Sequence, residues 1–310
     1  MNVKSRAFAG AVVGAAALGL TVMAPVASAD PAPGVYRVLA GVGSDTTEDV
    51  VNGLGDSVNG GATIASYNAT GTPTIKTRLN GCEINRPNGS SNGITALNND
   101  IDSKTGCLDF ARSSRGVATA GTDLTWIPFA SDKLTVATRE DGPLANLNVS
   151  TADLRAIYAC TKTTVTVNGV ARPVTPLIPQ SGSGTRSFFL TQIGNPTLGS
   201  CVHEMQEHNG EALTQGSDIA PYSVAKWTSQ VKGLIDDVHG ATVLGAIDGG
   251  AYSRDVYNVV PTAKLSDPTI AATFVGSGSK VCQDSATITK FGFGATPSIP
   301  CGDTSIKGEN

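Results

Sequence analysis

Apolar and polar positions along this chain switch repeatedly between the two-residue period of a strand and the longer period of a helix. Tyr36-Arg37-Val38-Leu39-Ala40-Gly41-Val42 is a short run of the kind a buried strand shows. It gives way to Gly43-Ser44-Asp45-Thr46-Thr47-Glu48-Asp49-Val50-Val51, a polar turn entering a helix, where Asp45 with Glu48 three residues on predicts a capping box. A second strand is predicted at Ala62–Tyr67. Asn88-Gly89-Ser90-Ser91-Asn92-Gly93 then leads into an apolar-periodic helix through Leu97, and Leu108–Gly116 reads as a strand opening into a polar Arg-Ser-Ser-Arg turn.

From Ile127-Pro128-Phe129-Ala130 to Ala137 the chain is extended, and Ser150–Tyr158 reads as a capped helix. Val174–Pro179 is a short extended segment whose prolines predict an edge strand at best. Gln180-Ser181-Gly182-Ser183-Gly184-Thr185-Arg186 is another turn into a helix, and Ala251–Val260 alternates as a strand does. Strands alternating with helices predict an α/β fold with a mostly parallel sheet. No internal repeat of domain-building length is evident.

Composition narrows the class. The 310 residues are 40% hydrophobic and 15% charged, which suits a globular chain. The formal net charge is -4 with no block of like charge, so a nucleic-acid surface is not expected. Residues 1–29 read as a signal peptide. Lys4 and Arg6 precede an apolar run from Ala7 to about Val26, and Ala27-Ser28-Ala29 is a small-residue cleavage site, so the mature chain is expected to start at Asp30 in an exported, extracellular or wall-associated protein. The cysteines agree with export: Cys82, Cys107, Cys160, Cys201, Cys282 and Cys301 are even in number, all lie after the leader, and form no C-x-x-C pair. Their order favours three local bridges, Cys82 to Cys107, Cys160 to Cys201 and Cys282 to Cys301, with other pairings open.

The feature that suggests chemistry is a strand, a Gly/Ser/Thr turn and a helix, met at Gly43–Thr47, Gly89–Gly93 and Ser181–Thr185. Such a turn leaves free backbone N–H groups at a helix N-terminus, where the helix dipole favours negative charge. Small residues let an oxyanion approach the backbone, and hydroxyls add donors. Three such turns beside an Arg-rich turn predict an anionic ligand held by Ser44, Asp45, Thr46, Ser90, Ser91, Arg112, Ser113, Ser114, Ser181, Ser183, Gly184, Thr185 and Arg186.

Taken in order, Gly41-Val42-Gly43-Ser44, Gly89-Ser90-Ser91-Asn92-Gly93, Asp109-Phe110-Ala111-Arg112-Ser113-Ser114, Ile127-Pro128-Phe129-Ala130 and Ser181-Gly182-Ser183-Gly184-Thr185 resemble the phosphate-binding proteins of bacterial phosphate uptake, a family of type II periplasmic binding proteins. The resemblance covers nearly the whole mature chain. It implies an α/β, two-lobed fold, each lobe a mixed sheet flanked by helices, joined by two crossovers and closing on a dehydrated oxyanion. Lobe one would comprise residues 30–130 plus 250–310, and lobe two residues 131–249. Ser90 would donate from lobe one, and Ser183, Gly184 and Thr185 from lobe two. The resemblance also implies a monomer without catalytic activity or cofactor, serving uptake, scavenging or sensing, with an ABC permease as partner.

Three departures stand out. The family places an Asp where this chain has Ser114, to accept the proton that phosphate carries and sulfate lacks, and an Arg shortly before the S-G-T turn, where this chain has Pro179. A buried phosphate hydroxyl left unpaired costs about 1 to 3 kcal/mol. Asp45 is the expected acceptor here, and Arg112, Arg115 or Arg186 the expected charge. No Cys precedes Cys82, so the cleavage site offers no lipid attachment.

A secreted esterase or lipase is the rival reading. Gly55-Asp56-Ser57 resembles the nucleophile block of the Gly-Asp-Ser lipases and Asp236-Asp237-Val238-His239 their D-x-x-H pair, with Ser57 as nucleophile, His239 as base and Asp236 as orienter. Against it, Gly-Asp-Ser falls where the first helix is predicted to stop. His203 and His208 with Glu204 and Glu207 have the wrong spacing for a metal on one helical face, and an exposed helix is expected there. Trp126 and Trp227 are expected as packing anchors. The P-loop lysine and a G-x-G-x-x-G after strand one are both missing, so no cofactor is called for.

Overall fold

The computed structural model describes residues 30–310; the predicted signal peptide, 1–29, lies outside the described residues. The first strand, Leu39–Gly43, is buried at every position and pairs in parallel with Ile64–Ser66 on one side and Phe110–Ser113 on the other. Strands buried on both faces read as continuous apolar runs, which is the pattern the sequence shows here. Helices Glu48–Ser57 and Ser90–Ser103 follow the turns predicted to open into them. Asp45 does not cap the first of these. Thr47 stands at the N-cap without a side-chain bond, because the Asp45 carboxylate is turned to His208 and the Glu48 carboxylate to the Ala69 N–H and Lys226.

The main sheet runs, in spatial order, His203–Met205, Thr175–Pro179, Asp218–Ser223, Leu124–Arg139, Tyr252–Pro261, Phe110–Ser113, Leu39–Gly43 and Ile64–Ser66. It is mixed rather than mostly parallel. Three parallel strands lie at each end, and the long antiparallel pair Leu124–Arg139 and Tyr252–Pro261 joins them. Thr175–Pro179 is an interior strand, contrary to the edge its prolines predict. Its neighbours flank different parts of it: Pro176 is in register only with Ile219, and Pro179 only with Met205. Neither proline has to ladder on both sides, so the missing N–H is tolerated.

The 16-residue strand Leu124–Arg139 spans about 50 Å and is long enough to belong to two cores. Its first part, with Trp126, Ile127, Phe129 and Ala130, packs into clusters that hold Leu39, Phe110, Phe274 and Ile94; Leu134 and Val136 pack with Leu154, Tyr158 and Phe189. Each large side chain so buried stabilises the fold by about 1.5–3 kcal/mol. Between the two cores the strand reads Ser131-Asp132-Lys133, and Asp132 stands in register opposite Arg254 on the other crossover. The stretch between the two cores is therefore polar and charged.

Disulfides join Cys82 to Cys107, Cys160 to Cys201 and Cys282 to Cys301, the local pairing favoured by sequence order. Among the described residues, no helix is long and apolar enough to cross a membrane.

Candidate functional site

The Gly/Ser/Thr turns meet. Thr46, in the turn after the first strand, has its Oγ1 3.1 Å from Ser114 Oγ and 3.2 Å from Thr185 Oγ1. Ser90, the first residue of its helix, accepts from the Ser114 N–H at 3.1 Å and lies 3.4 Å from the Ser114 hydroxyl. Thr185 is the second residue of the nine-residue helix Gly184–Gln192, whose N-cap Ser183 accepts from the Arg186 N–H. All four residues, Thr46, Ser90, Ser114 and Thr185, are almost fully buried. They form a cradle of hydroxyls and helix N-terminal amides between the two groups of strands.

Two glycines make this approach possible. A Cβ on Gly184 would collide with the Ser90 and Ser114 hydroxyls. Gly89, at φ +102, brings the Ser90 turn against the Gly182 carbonyl, which accepts from the Ser91 N–H at 3.0 Å. Asn88 adds side-chain bonds across the same gap, accepting from Gln180 at 2.7 Å and donating to Gln206 at 2.9 Å.

The charge in the cradle comes from a residue that turn patterns did not reveal. Arg254 is 4% exposed and bonds Asp132 through Nε at 3.0 Å and Nη2 at 2.7 Å. It also donates to the Thr185 hydroxyl and to the Ser114 carbonyl, each at 3.1 Å. Asp132 is held in turn by the Ser223 hydroxyl at 2.9 Å and the Ala225 N–H. The crossover pair thus aims a guanidinium at the place where the turns converge.

Asp45 and His208 close one side, with Nδ1 and Oδ1 2.7 Å apart. Burial pushes His208 down to about 4 and raises the Asp45 carboxyl. A neutral imidazole donating to Asp45 leaves Nε2 as an acceptor facing the Thr185 hydroxyl at 3.4 Å. His208 holds this position in the left-handed region, φ +54. Glu207 beside it is 2% exposed and accepts from the Thr185 N–H and the Thr46 hydroxyl, each at 3.2 Å. His203–Met205 is a strand and residues 206–209 a turn, so the exposed helix expected around His203 and His208 is not formed; Glu207 and His208 point inward.

Lys226 bridges the same gap. Its ammonium bonds Asp49 at 2.6 Å, Glu48 at 2.9 Å and the Asp45 carbonyl at 3.2 Å. Burial works against the ammonium, but Asp45, Asp49 and Glu48 outweigh it and hold its pKa well above the usual lysine range. With three carboxylates around one ammonium, burial pushes Glu48 up to about 7. A cavity of about 500 Å³ adjoins this cluster, lined by Asp45, Glu48, Glu207, His208 and Lys226 among others.

The remaining expected residues lie around the cradle. Arg112 is fully buried beneath the first turn, its guanidinium bonding the Tyr67 carbonyl at 2.7 Å, Ser66 Oγ at 2.8 Å and the Ser44 carbonyl at 3.2 Å. Burial lowers it to about 10. Its donors shape the Gly41–Ser44 turn and do not reach the hydroxyl cluster. Ser44 is buried with its hydroxyl unpartnered. Ser113 bonds the Arg115 backbone, and Ser91 accepts from Arg115 Nε. Ser181 is exposed, and Arg186 turns outward to Glu204 at 2.8 Å and the Pro179 carbonyl.

The rival triad is not assembled. Ser57 ends its helix on the surface and donates to Asp284, while His239 bonds Asp237 and packs edge-on against Trp227. Trp126 is fully buried in a core, and Trp227 is partly buried against the Tyr222 cluster.

A family model described as a PBP superfamily domain matches residues 32–284. No curated protein matches the chain. Among solved structures, the chain is similar to a substrate-binding protein of a phosphate ABC transporter from Clostridium perfringens, solved with bound phosphate, at 15% identity and a TM-score of 0.59, with 84% of this chain and 99% of that chain covered. It is similar also to an ABC-type phosphate transport receptor from Vibrio cholerae, at 16% identity and 0.55, covering 82% and 98%. A phosphate-binding protein from Stenotrophomonas maltophilia matches at 13% and 0.52, covering 84% and 91%. The shared fold is the type II periplasmic-binding fold.

Proposed function

This chain belongs to the PBP superfamily, and from that premise we propose that it is a secreted solute-binding protein that captures an oxyanion, inorganic phosphate above all, between two closing lobes. The observation that carries the reading is the convergence of Thr46, Ser90 and Ser114 from one side with the Thr185 amide and hydroxyl from the other, around Arg254. Each neutral donor contributes about 0.5–1.5 kcal/mol and a charged one about 1.5–3 kcal/mol, so tight capture needs many together. They act together only when the lobes meet, so the ligand favours the closed state.

Arg254 supplies the charge that the family draws from the position held here by Pro179. The Asp45 carboxylate, buried beside His208, supplies an acceptor in place of the Asp replaced by Ser114. That pairing of donors with acceptors favours hydrogenphosphate over sulfate, which has no proton to give. The lobes are residues 30–130 with 250–310, and 131–249, the switch of cores near Ser131–Lys133 supporting the first boundary. The predicted leader and three disulfides support export, and the likeness to substrate-binding proteins of phosphate ABC transporters supports a permease as partner. The likeness to substrate-binding proteins supports a binding rather than a catalytic role, and Ser57 bonds Asp284 instead of His239.

Calorimetry of residues 30–310 with phosphate and with sulfate near neutral pH tests the reading. Phosphate binds at one site per chain and more tightly than sulfate, and Thr185→Val weakens it at least tenfold. Absence of heat with either anion, or turnover of an ester abolished by Ser57→Ala, overturns it.

A further inference from the structure

Glu207 is a carboxylate seated where an anion is expected. Its Oε1 accepts from the Thr185 N–H at the start of the Gly184–Gln192 helix and from the Thr46 hydroxyl, each at 3.2 Å. A carboxylate on N-terminal amides is stabilised by the helix dipole as a phosphate oxygen is. Thr46 and Thr185 come from opposite sides of the gap, so the carboxylate bridges them as a captured anion would. Glu207 is 2% exposed, and its Oε2 is buried without a hydrogen-bond partner. A half-satisfied buried carboxylate is an expensive group to keep for packing alone. Neighbouring hydroxyls in the cradle stand 3.1 to 3.4 Å apart and bond one another, so a tetrahedral anion must part them to enter.

We propose that Glu207 is a built-in competitor for the oxyanion. Capture is an exchange: the incoming anion takes the Thr185 N–H and the Thr46 hydroxyl, and the Glu207 carboxylate turns away. The Thr185 amide has one hydrogen to give, and two negative charges at hydrogen-bond distance repel, so carboxylate and ligand do not share the seat. The exchange has somewhere to go, because Glu207 lines the cavity of about 500 Å³ that also holds the Lys226 side chain. Affinity is thereby set below what the donors alone supply. The proposal rests on the oxyanion-capture reading and adds the residue that sets its threshold.

The test is calorimetry of the wild type, Glu207→Gln and Glu207→Ala with inorganic phosphate and with sulfate, thermal unfolding confirming that each variant folds. Removing the competitor's charge tightens both anions by at least tenfold in Glu207→Gln. Phosphate binding unchanged or weakened in Glu207→Gln, with sulfate strengthened, overturns the proposal in favour of Glu207 as an acceptor for the ligand's proton. The wild type gives a second reading by nuclear magnetic resonance. The Thr185 amide proton shifts on adding phosphate as its partner changes from carboxylate to ligand, and an amide that does not move contradicts the exchange. Should no anion bind to the wild type or to either variant, the capture reading itself is refuted and this proposal with it; anion binding with no gain on Glu207→Gln refutes this proposal alone.

Discussion

Arg254→Ala is the substitution whose cost is best defined by the structure. The guanidinium and Asp132 face each other across the two crossover strands at 2.7 Å, with side chains 1% and 0% exposed. Truncating Arg254 leaves Asp132 with only the Ser223 hydroxyl and the Ala225 N–H, a buried carboxylate stripped of its counter-charge. Breaking one side of such a pair costs about 3–5 kcal/mol. At about 2–4 °C per kcal/mol for a chain of this size, the midpoint of thermal unfolding falls by roughly 6–20 °C. The partner variant Asp132→Ala pays a similar cost. Arg254→Met with Asp132→Leu removes both charges, and such replacement by apolar residues of similar volume is often neutral. Urea unfolding of the two alanine variants, their double variant and the Met/Leu pair gives the coupling energy directly. A loss below about 1 kcal/mol in Arg254→Ala, or alanine substitutions that simply add, refutes the placement of a desolvated ion pair between the two long antiparallel strands.

Stability against pH carries two opposed contributions. Glu48, raised from 4.5 to about 7 by burial, keeps a proton that the unfolded chain has lost, so its contribution is full below about 4.5 and lost as pH rises through about 7. His208, lowered from 6.5 to about 4 by burial, contributes fully above about 6.5, and its contribution is lost as pH falls through about 4. Urea midpoints of Glu48→Gln should therefore fall on acidification below about 6.5, and those of His208→Gln should fall as pH rises from about 4.5; a profile unmoved by either change contradicts the buried cluster. Gly184→Ala drives a Cβ against the buried Ser90 and Ser114 side chains, so phosphate affinity drops at least tenfold in calorimetry and overpacking lowers stability by about 1–3 kcal/mol; wild-type affinity and stability would contradict the close approach. Replacing Cys160 and Cys201 by Ser, which opens a loop of sequence separation 41, lowers the unfolding free energy by about 4 kcal/mol, and the pair Cys282 and Cys301, separation 19, by about 3 kcal/mol.

Local chemistry was legible in the sequence, and long-range pairing was not. The turns at Thr46, Ser90 and Thr185 announce themselves because Gly, Ser and Thr before an apolar-periodic segment have a direct meaning for a helix N-terminus. Ser114 follows from the end of its strand. Arg112 shows its charge in the sequence, but a charge beside a turn does not reveal whether it faces the ligand or braces the turn from below. Arg254 and Asp132 leave no local signal, because they stand 122 positions apart and each reads alone as an ordinary polar position in an extended run. A helical period is the wrong frame for Glu207 and His208, because the chain there is a strand followed by a turn with His208 at positive φ. An inward carboxylate and an imidazole in a left-handed turn leave no periodic trace. The prolines of Thr175–Pro179 misled for the same reason, since tolerance depends on which neighbour lies beside which residue.

A crystal of the protein grown with arsenate, a heavier anion of phosphate's shape located by its anomalous scattering, tests the central claim most directly. The account predicts a single arsenate between the lobes, within hydrogen-bond distance of the Thr46, Ser90 and Ser114 hydroxyls, the Thr185 N–H and the Arg254 guanidinium. Arsenate bound only elsewhere on the surface, with these groups still bonded to one another, would contradict it.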